Sequence, residues 1–279
     1  ASRIDQIDGS KIRISCVGDS ITDGVGGNGT DYPSIIAGED NNLDVFKFGY
    51  PSEDSLYISA MCGATALYVD PFTIPTTNTL ATAPTITLRM ANKAALTLDH
   101  ISAQNQCTVG GIEGYLLYVD GVNKFQRAKS GDAVTFDRPQ ILLQNYEMRH
   151  KEDILILWAG TNDPSIPDMN ATLFYQIDTI IKNLQHKKYL VVGVMNTEKS
   201  TNIDNVTIYY RRCYGNHYVN IRQYLLDYGL ADAGITTPSE QDQIDISNGM
   251  VPQSLRPEGD SYHLNAAGYT VVGKYLYKY

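Results

Sequence analysis

Apolar runs and helical spacing alternate at both ends of the chain. Lys11–Val17 (KIRISCV), Leu43–Phe48 (LDVFKF), Asp153–Ala159 (DILILWA), Tyr189–Met195 (YLVVGVM) and Tyr218–Ile221 (YVNI) are short and rich in aliphatic residues. Such continuous runs predict strands buried on both faces of a parallel sheet. Between them, residues 172–186 place apolar side chains at 173, 174, 177, 180, 181 and 184. That spacing predicts an amphipathic helix. Further helices are predicted over 32–38, starting near Pro33, over 203–214, and over 265–277 at the end of the chain. Strands alternating with helices give a parallel sheet covered by helices.

The middle of the chain follows another period. From about 64 to 140 helical spacing disappears, and TITLRM (85–90) and AALTL (94–98) alternate apolar with polar residues. YLLYV (115–119) runs into Asp120-Gly121 and then VNKFQRA, which predicts a hairpin because both central turn positions need positive φ. Ser130-Gly131-Asp132 predicts a second turn before AVTF (133–136), and the Thr/Pro-rich stretch 71–85 reads as a connector or extended edge. Residues 64–140 are therefore expected to form a small antiparallel β domain inserted in an α/β domain made of 1–63 and 141–279.

Composition narrows the function classes. Of 279 residues 43% are hydrophobic and 19% charged, enough apolar material for a packed core. The net charge of −9 comes with no concentrated Lys/Arg cluster, which argues against nucleic acid as a partner. No apolar run reaches membrane-spanning length. No signal-peptide h-region is visible at the N-terminus, although a leader could have been removed upstream of it. Cys16, Cys62, Cys107 and Cys213 form no CxxC pair and have no histidine at metal-ligand spacing, so neither a zinc site nor a disulfide framework is expected. Cys16, within an apolar strand, and Trp158, within another, read as core.

Candidate chemistry begins at residues 16–29, CVGDSITDGVGGNG. Either Ser20 is a nucleophile presented at a strand end, or the glycines from Gly24 onward cradle a phosphate. A dinucleotide fingerprint wants its first glycine at the very end of the strand. Gly24 comes seven residues after Val17, which disfavours that reading and leaves residues 20–31 as a mobile loop lining a site. A serine nucleophile needs a base, an orienting acid and oxyanion donors. Gly160-Thr161-Asn162-Asp163 follows the strand DILILWA, and Asp260-Ser261-Tyr262-His263 precedes the last helix. Ligands of open parallel sheets bind beyond the carboxyl ends of the strands, where Ser20 and Asn162 both fall.

GDSIT (18–22), AGTND (159–163) and DSYHLN (260–265) resemble, in order, the marked sequence blocks of the SGNH hydrolases, also called the GDSL esterase/lipase family. Without residues 64–140 about 200 residues remain, a normal single-domain size. The resemblance implies a three-layer α/β/α, flavodoxin-like domain with a parallel sheet, acting as a serine esterase without metal or cofactor. It makes Ser20 the nucleophile, His263 the general base and then acid, and Asp260 the residue that orients the imidazole. The Asn162 side-chain amide and the Ser20 N–H would serve the oxyanion hole. A third donor is normally a glycine N–H, and there the match departs from the family: after LDVFKF the chain reads Gly49-Tyr50-Pro51-Ser52-Glu53-Asp54, so that Ser52 stands in the glycine's place and Gly49 is the alternative.

The substrate expected is an acylated small molecule or glycan. No apolar lid or amphipathic interfacial segment points to a lipid surface, and because the insert 64–140 resembles accessory glycan-binding modules in general character, short acyl groups, acetyl above all, on a carbohydrate are favoured. Tyr50 and Tyr262 adjoin the catalytic blocks and are candidates for the pocket wall, since a tyrosine ring offers an apolar face and a polar tip. An extracellular, cell-surface or phage-associated setting is favoured over the cytoplasm. Two other readings stand beside this one: a non-catalytic glycan-binding or adhesion module on a hydrolase scaffold, and an acyl-thioesterase or lysophospholipase-type enzyme.

Overall fold

A computed structural model describes residues 11–99, 105–163, 169–195 and 201–279. The chain divides into two compact units, one of residues 1–51, 153–161 and 187–279, the other of residues 52–152 and 162–186.

The first unit is built on a five-stranded, all-parallel sheet: β1 (Ile12–Gly18), β2 (Leu43–Gly49), β3 (Ile154–Trp158), β4 (Tyr189–Val192) and β5 (Tyr218–Val219). From one edge the order is β2-β1-β3-β4-β5, with register Cys16↔Ile156, Gly18↔Trp158 and Gly18↔Gly49. The aliphatic runs are explained by burial on both faces. Cys16, Ile156, Trp158 and Val192 point to one face and join a core with Ile36, Val272 and Leu276; Val17, Leu155, Leu157 and Val191 point the other way and are equally buried. The Tyr32 and Trp158 rings meet at 5.5 Å in that core.

Helices begin where the sequence supplies caps. Asp31 accepts from the Ser34 N–H and opens Tyr32–Glu39, which has a proline in its first turn. Asn265 accepts from the Gly268 N–H and opens Ala266–Tyr277. These two helices touch at Gly273, where a Cβ would lie 2.5 Å from the Ile35 Cβ.

The second unit holds a seven-stranded antiparallel sheet, ordered Ala95–Leu96, Leu88–Met90, Leu67–Val69, Gln140–Gln144, Asn105–Val109, Ile112–Val119, Val122–Arg127, and a two-stranded pair, Phe72–Ile74 with Val134–Phe136. The Asp120-Gly121 hairpin is a two-residue turn with φ of 53° and 80°, as its sequence requires. One face of the larger sheet is packed with Leu67, Val69, Leu88, Val109, Leu116, Phe125 and Leu142, while Ile141 and Leu143 on the other face are exposed. The unit also contains the helices Ser55–Met61, Asn145–Arg149 and Met169–Asn183. In the last of these and its end, Leu173, Phe174, Ile177, Ile180, Ile181 and Leu184 are all buried, the positions its spacing selects.

Candidate active site

β1 ends at Gly18, and no other residue fits there: a Cβ would stand 2.1 Å from the Trp158 carbonyl oxygen of β3. Asp19 then breaks the strand and caps a single helical turn, Ser20–Asp23, by accepting the Ile21 N–H at 2.9 Å. Ser20 is the first residue of that turn, so its N–H has no partner within the helix. Burial pushes the Asp19 carboxyl up to about 6, against the pull of the Ile21 N–H and of Thr161.

The mobile loop expected over 20–31 is instead this helical turn followed by a wedged glycine segment. Gly24 ends the turn at φ 91°. At Gly26 (φ 86°) a Cβ would lie 2.8 Å from the Leu264 carbonyl oxygen and 3.1 Å from the His263 Cβ. At Gly27 it would lie 2.0 Å from the Thr30 carbonyl oxygen and 2.7 Å from the Tyr269 ring. The Tyr269 hydroxyl donates to the Val25 carbonyl at 2.8 Å. Gly26 and Gly27 thus let this segment pack against the loop and helix that hold His263, Leu264 and Tyr269.

The other loop carries His263 and Asp260. His263 Nε2 lies 2.8 Å from Ser20 Oγ, and Nδ1 lies 2.8 Å from Asp260 Oδ2. Asp260 Oδ1 accepts the peptide N–H groups of Tyr262 at 2.7 Å and His263 at 3.0 Å. Partial burial would raise the Asp260 carboxyl, but these two N–H groups and the imidazole outweigh it and hold it below the usual carboxylate range. An ionised carboxylate only accepts, so Nδ1 carries the ring proton and Nε2 is left as acceptor for the Ser20 hydroxyl. The arrangement has the connectivity of a nucleophile, a base and an orienting acid. Ser20 is 6% exposed, and Tyr262, next to the base in sequence, is 50% exposed.

Ser52 and Asn162 lie in the second unit and are joined to one another through a neighbour: Asn162 Nδ2 donates to the Glu53 carbonyl at 3.0 Å. The same loop is tied by Asp163, which is buried and accepts both the N–H (3.0 Å) and the hydroxyl (2.5 Å) of Ser55. Ser52 has φ 66°, the left-handed conformation for which glycine is the unstrained residue. Gly49, the alternative, sits inside the ladder opposite Gly18, and its missing side chain admits the Asp23 backbone, 2.3 Å from where a Cβ would be.

The buried cysteines and the other described histidines have neighbours of their own. Cys16 and Cys62 are buried, and burial pushes the Cys62 thiol up to about 12, which leaves no thiolate nucleophile there. His186 is buried with its Nε2 3.1 Å from the Tyr146 hydroxyl, His150 is buried beside the same ring, and His217 stacks on Tyr189. His100 lies outside the described residues. Among the described residues no group of three or more His, Cys, Asp or Glu could hold a metal ion, and no helix is long and apolar enough to cross a membrane.

Sequence reasoning missed a third set of residues. The helix Glu240–Ser247 turns Asp242 and Asp245 inward, both essentially unexposed, and turns Ile244 out. Asp245 pairs with a buried Arg256 at 2.7 Å. The only signal available was two acids three apart in sequence, which by charge alone reads as solvated.

No model of a known protein family matches the chain, and no curated protein matches it. A solved structure described as "Peptidoglycan O-acetylesterase in action, 5 min" is similar over 97% of this chain and 91% of its own, with 12% identity and a TM-score of 0.41.

Proposed function

We propose that the protein is a serine ester hydrolase of the SGNH type that removes short acyl groups, acetyl in the first instance, from a carbohydrate. The observation that carries this reading is the unbroken series Ser20 Oγ, His263 and Asp260, at 2.8 Å and 2.8 Å. The strand order β2-β1-β3-β4-β5 supports it, since this is the doubly wound, flavodoxin-like order whose ligand site lies at the carboxyl ends of the strands. Ser20 follows β1 at that end.

In the reaction, His263 Nε2 takes the Ser20 proton as Oγ attacks the ester carbonyl. The oxyanion is met by the N–H of Ser20 at the start of its helical turn. The imidazolium, stabilised by Asp260, then protonates the leaving alcohol. Water, deprotonated by the same imidazole, releases the acid and restores Ser20. The exposed Tyr262 ring, on the loop of the base, is suited to pack against a sugar.

The test is hydrolysis of p-nitrophenyl esters from acetyl to octanoyl by the wild type and Ser20→Ala. Turnover restricted to short chains and abolished in Ser20→Ala is the expected result. Turnover that survives Ser20→Ala would overturn the nucleophile, and a preference for long thioesters would overturn the substrate class.

A further inference from the structure

We infer that Arg256, seated on Asp245, is a positioning residue that fixes the Asp260–His263 loop for the reaction proposed above. The inference rests on that reading of the site and extends it to residues that touch no reacting atom.

The starting point is an inverted helix. Along Glu240–Ser247 hydrophobic burial alone would turn Ile244 inward and the acids outward. The helix does the reverse: Ile244 is 44% exposed while Asp242 and Asp245 are 0% and 1% exposed. Burying carboxylates is costly unless every oxygen is used. Here each is. Asp242 accepts the N–H and hydroxyl of Ser239 at 2.9 and 2.8 Å, and those of Ser254 at 2.8 and 2.7 Å. Asp245 accepts Gln241 Nε2 at 2.7 Å on one oxygen and Arg256 Nη2 at 2.7 Å on the other.

What this buried charge holds is the triad loop. Arg256 donates from Nε to the Val251 carbonyl at 2.8 Å and from Nη1 to the Asp260 carbonyl at 2.7 Å. One planar guanidinium thus spans a helix, the entry to the loop and the backbone of the triad acid itself. The far end of the loop returns to the same place. Asn265, two residues past His263, donates to the Ser254 and Arg256 carbonyls at 2.9 and 3.1 Å, and its own N–H donates to the Leu255 carbonyl at 3.0 Å. Both ends of the segment that carries Asp260 and His263 are therefore stitched to one charged knot. Productive geometry must be held within a fraction of an ångström, and this knot is what the loop hangs from.

The experiment uses the full chain and the conservative variant Arg256→Lys, which keeps a cation for Asp245 but not the three-way fork. The expected result is a fall in kcat of tenfold or more on p-nitrophenyl acetate, with KM changed less than about threefold and the thermal transition still cooperative. The downfield proton resonance of His263 Nδ1–H, present in the wild type, should weaken or vanish in the variant. A folded Arg256→Lys with wild-type kcat and an unchanged resonance would overturn the inference. Should Arg256→Lys fail to fold, Asp245→Asn, nearly isosteric, reads the same two quantities: a lowered kcat supports the inference, and an unaltered kcat and resonance overturn it. If the wild type shows no Ser20-dependent hydrolysis, it is the esterase reading that has failed, and the resonance alone then decides whether Arg256 positions the loop.

Discussion

One oxygen of the Asp260 carboxylate accepts the peptide N–H of His263 at 3.0 Å, while the other faces Nδ1 of the same residue's ring at 2.8 Å. Main chain and side chain of His263 are thus fixed by a single group three residues upstream. Asp260→Asn keeps the shape of that group but offers an amide N–H where the ring needs an acceptor, which drives the imidazole to the wrong tautomer. We predict a loss in kcat of about 10³-fold or more, with KM little changed. Steady-state kinetics on p-nitrophenyl acetate check it; a loss under tenfold would remove Asp260 from the triad.

The buried Asp19 carboxyl makes stability depend on pH with the less familiar sign. Its folded value, about 6, lies above the ordinary 3.8. Between those values the unfolded chain releases the proton while the folded one retains it. The folded state therefore has its full advantage below pH 4 and loses it as pH rises through 6. A difference of that size between the two states corresponds to roughly 3 kcal/mol at most. Asp19→Asn retains an oxygen for the Ile21 N–H and removes the titration. Urea unfolding should show the variant more stable than the wild type at pH 8, with the gap closing toward pH 4. Parallel curves would refute the assignment.

Ser52 holds φ 66°, in a region that costs a non-glycine residue about 1–2 kcal/mol. Ser52→Gly removes that strain at the expense of added freedom in the unfolded chain, roughly 0.5–1 kcal/mol. The expected net gain is up to about 1 kcal/mol in urea unfolding. Ser52 keeps its backbone N–H in the variant, so hydrolysis of p-nitrophenyl acetate should stay within about twofold. A destabilised variant would show that the Ser52 side chain has a structural partner of its own.

Gly26 separates two glycine functions. A Cβ there meets the Leu264 carbonyl at 2.8 Å and the His263 Cβ at 3.1 Å. Gly26→Ala should push the base away from Ser20 and lower kcat by about 10²-fold, the scale of a 1 Å misplacement. Gly29→Ala, a control at φ 88° with open space around it, carries backbone strain without that displacement. Equal losses of activity in the two variants would refute the steric account.

Much of the first unit was legible because its strands are short aliphatic runs and its helices are capped by Asp31 and Asn265. Ser20, Asp260 and His263 were legible as residue types in two short blocks, and the structure places them within hydrogen-bonding distance in series. The knot of Asp242, Asp245 and Arg256 was not, since buried charge looks like surface charge until its partners are seen. Neither was the wedging of Gly26 and Gly27, which depends on a loop far away in sequence. The extent of the second unit was also hidden. The boundaries at 64 and 140 mark where helical spacing stops, whereas the compact unit includes the helices Ser55–Met61 and Met169–Asn183, whose patterns look like those of the α/β frame.

Ser20 and His263 are hydrogen-bonded across 243 positions of sequence. On a ribosome Ser20 would emerge 243 residues before His263. Between them the chain must also deliver β3, without which β1 lacks its neighbour on one side. Contacts of such long range make folding slow. A truncation that removed only Ala266–Tyr277 and the loop before it would take Asp260 and His263 together, leaving the Ser20 hydroxyl without its ring partner.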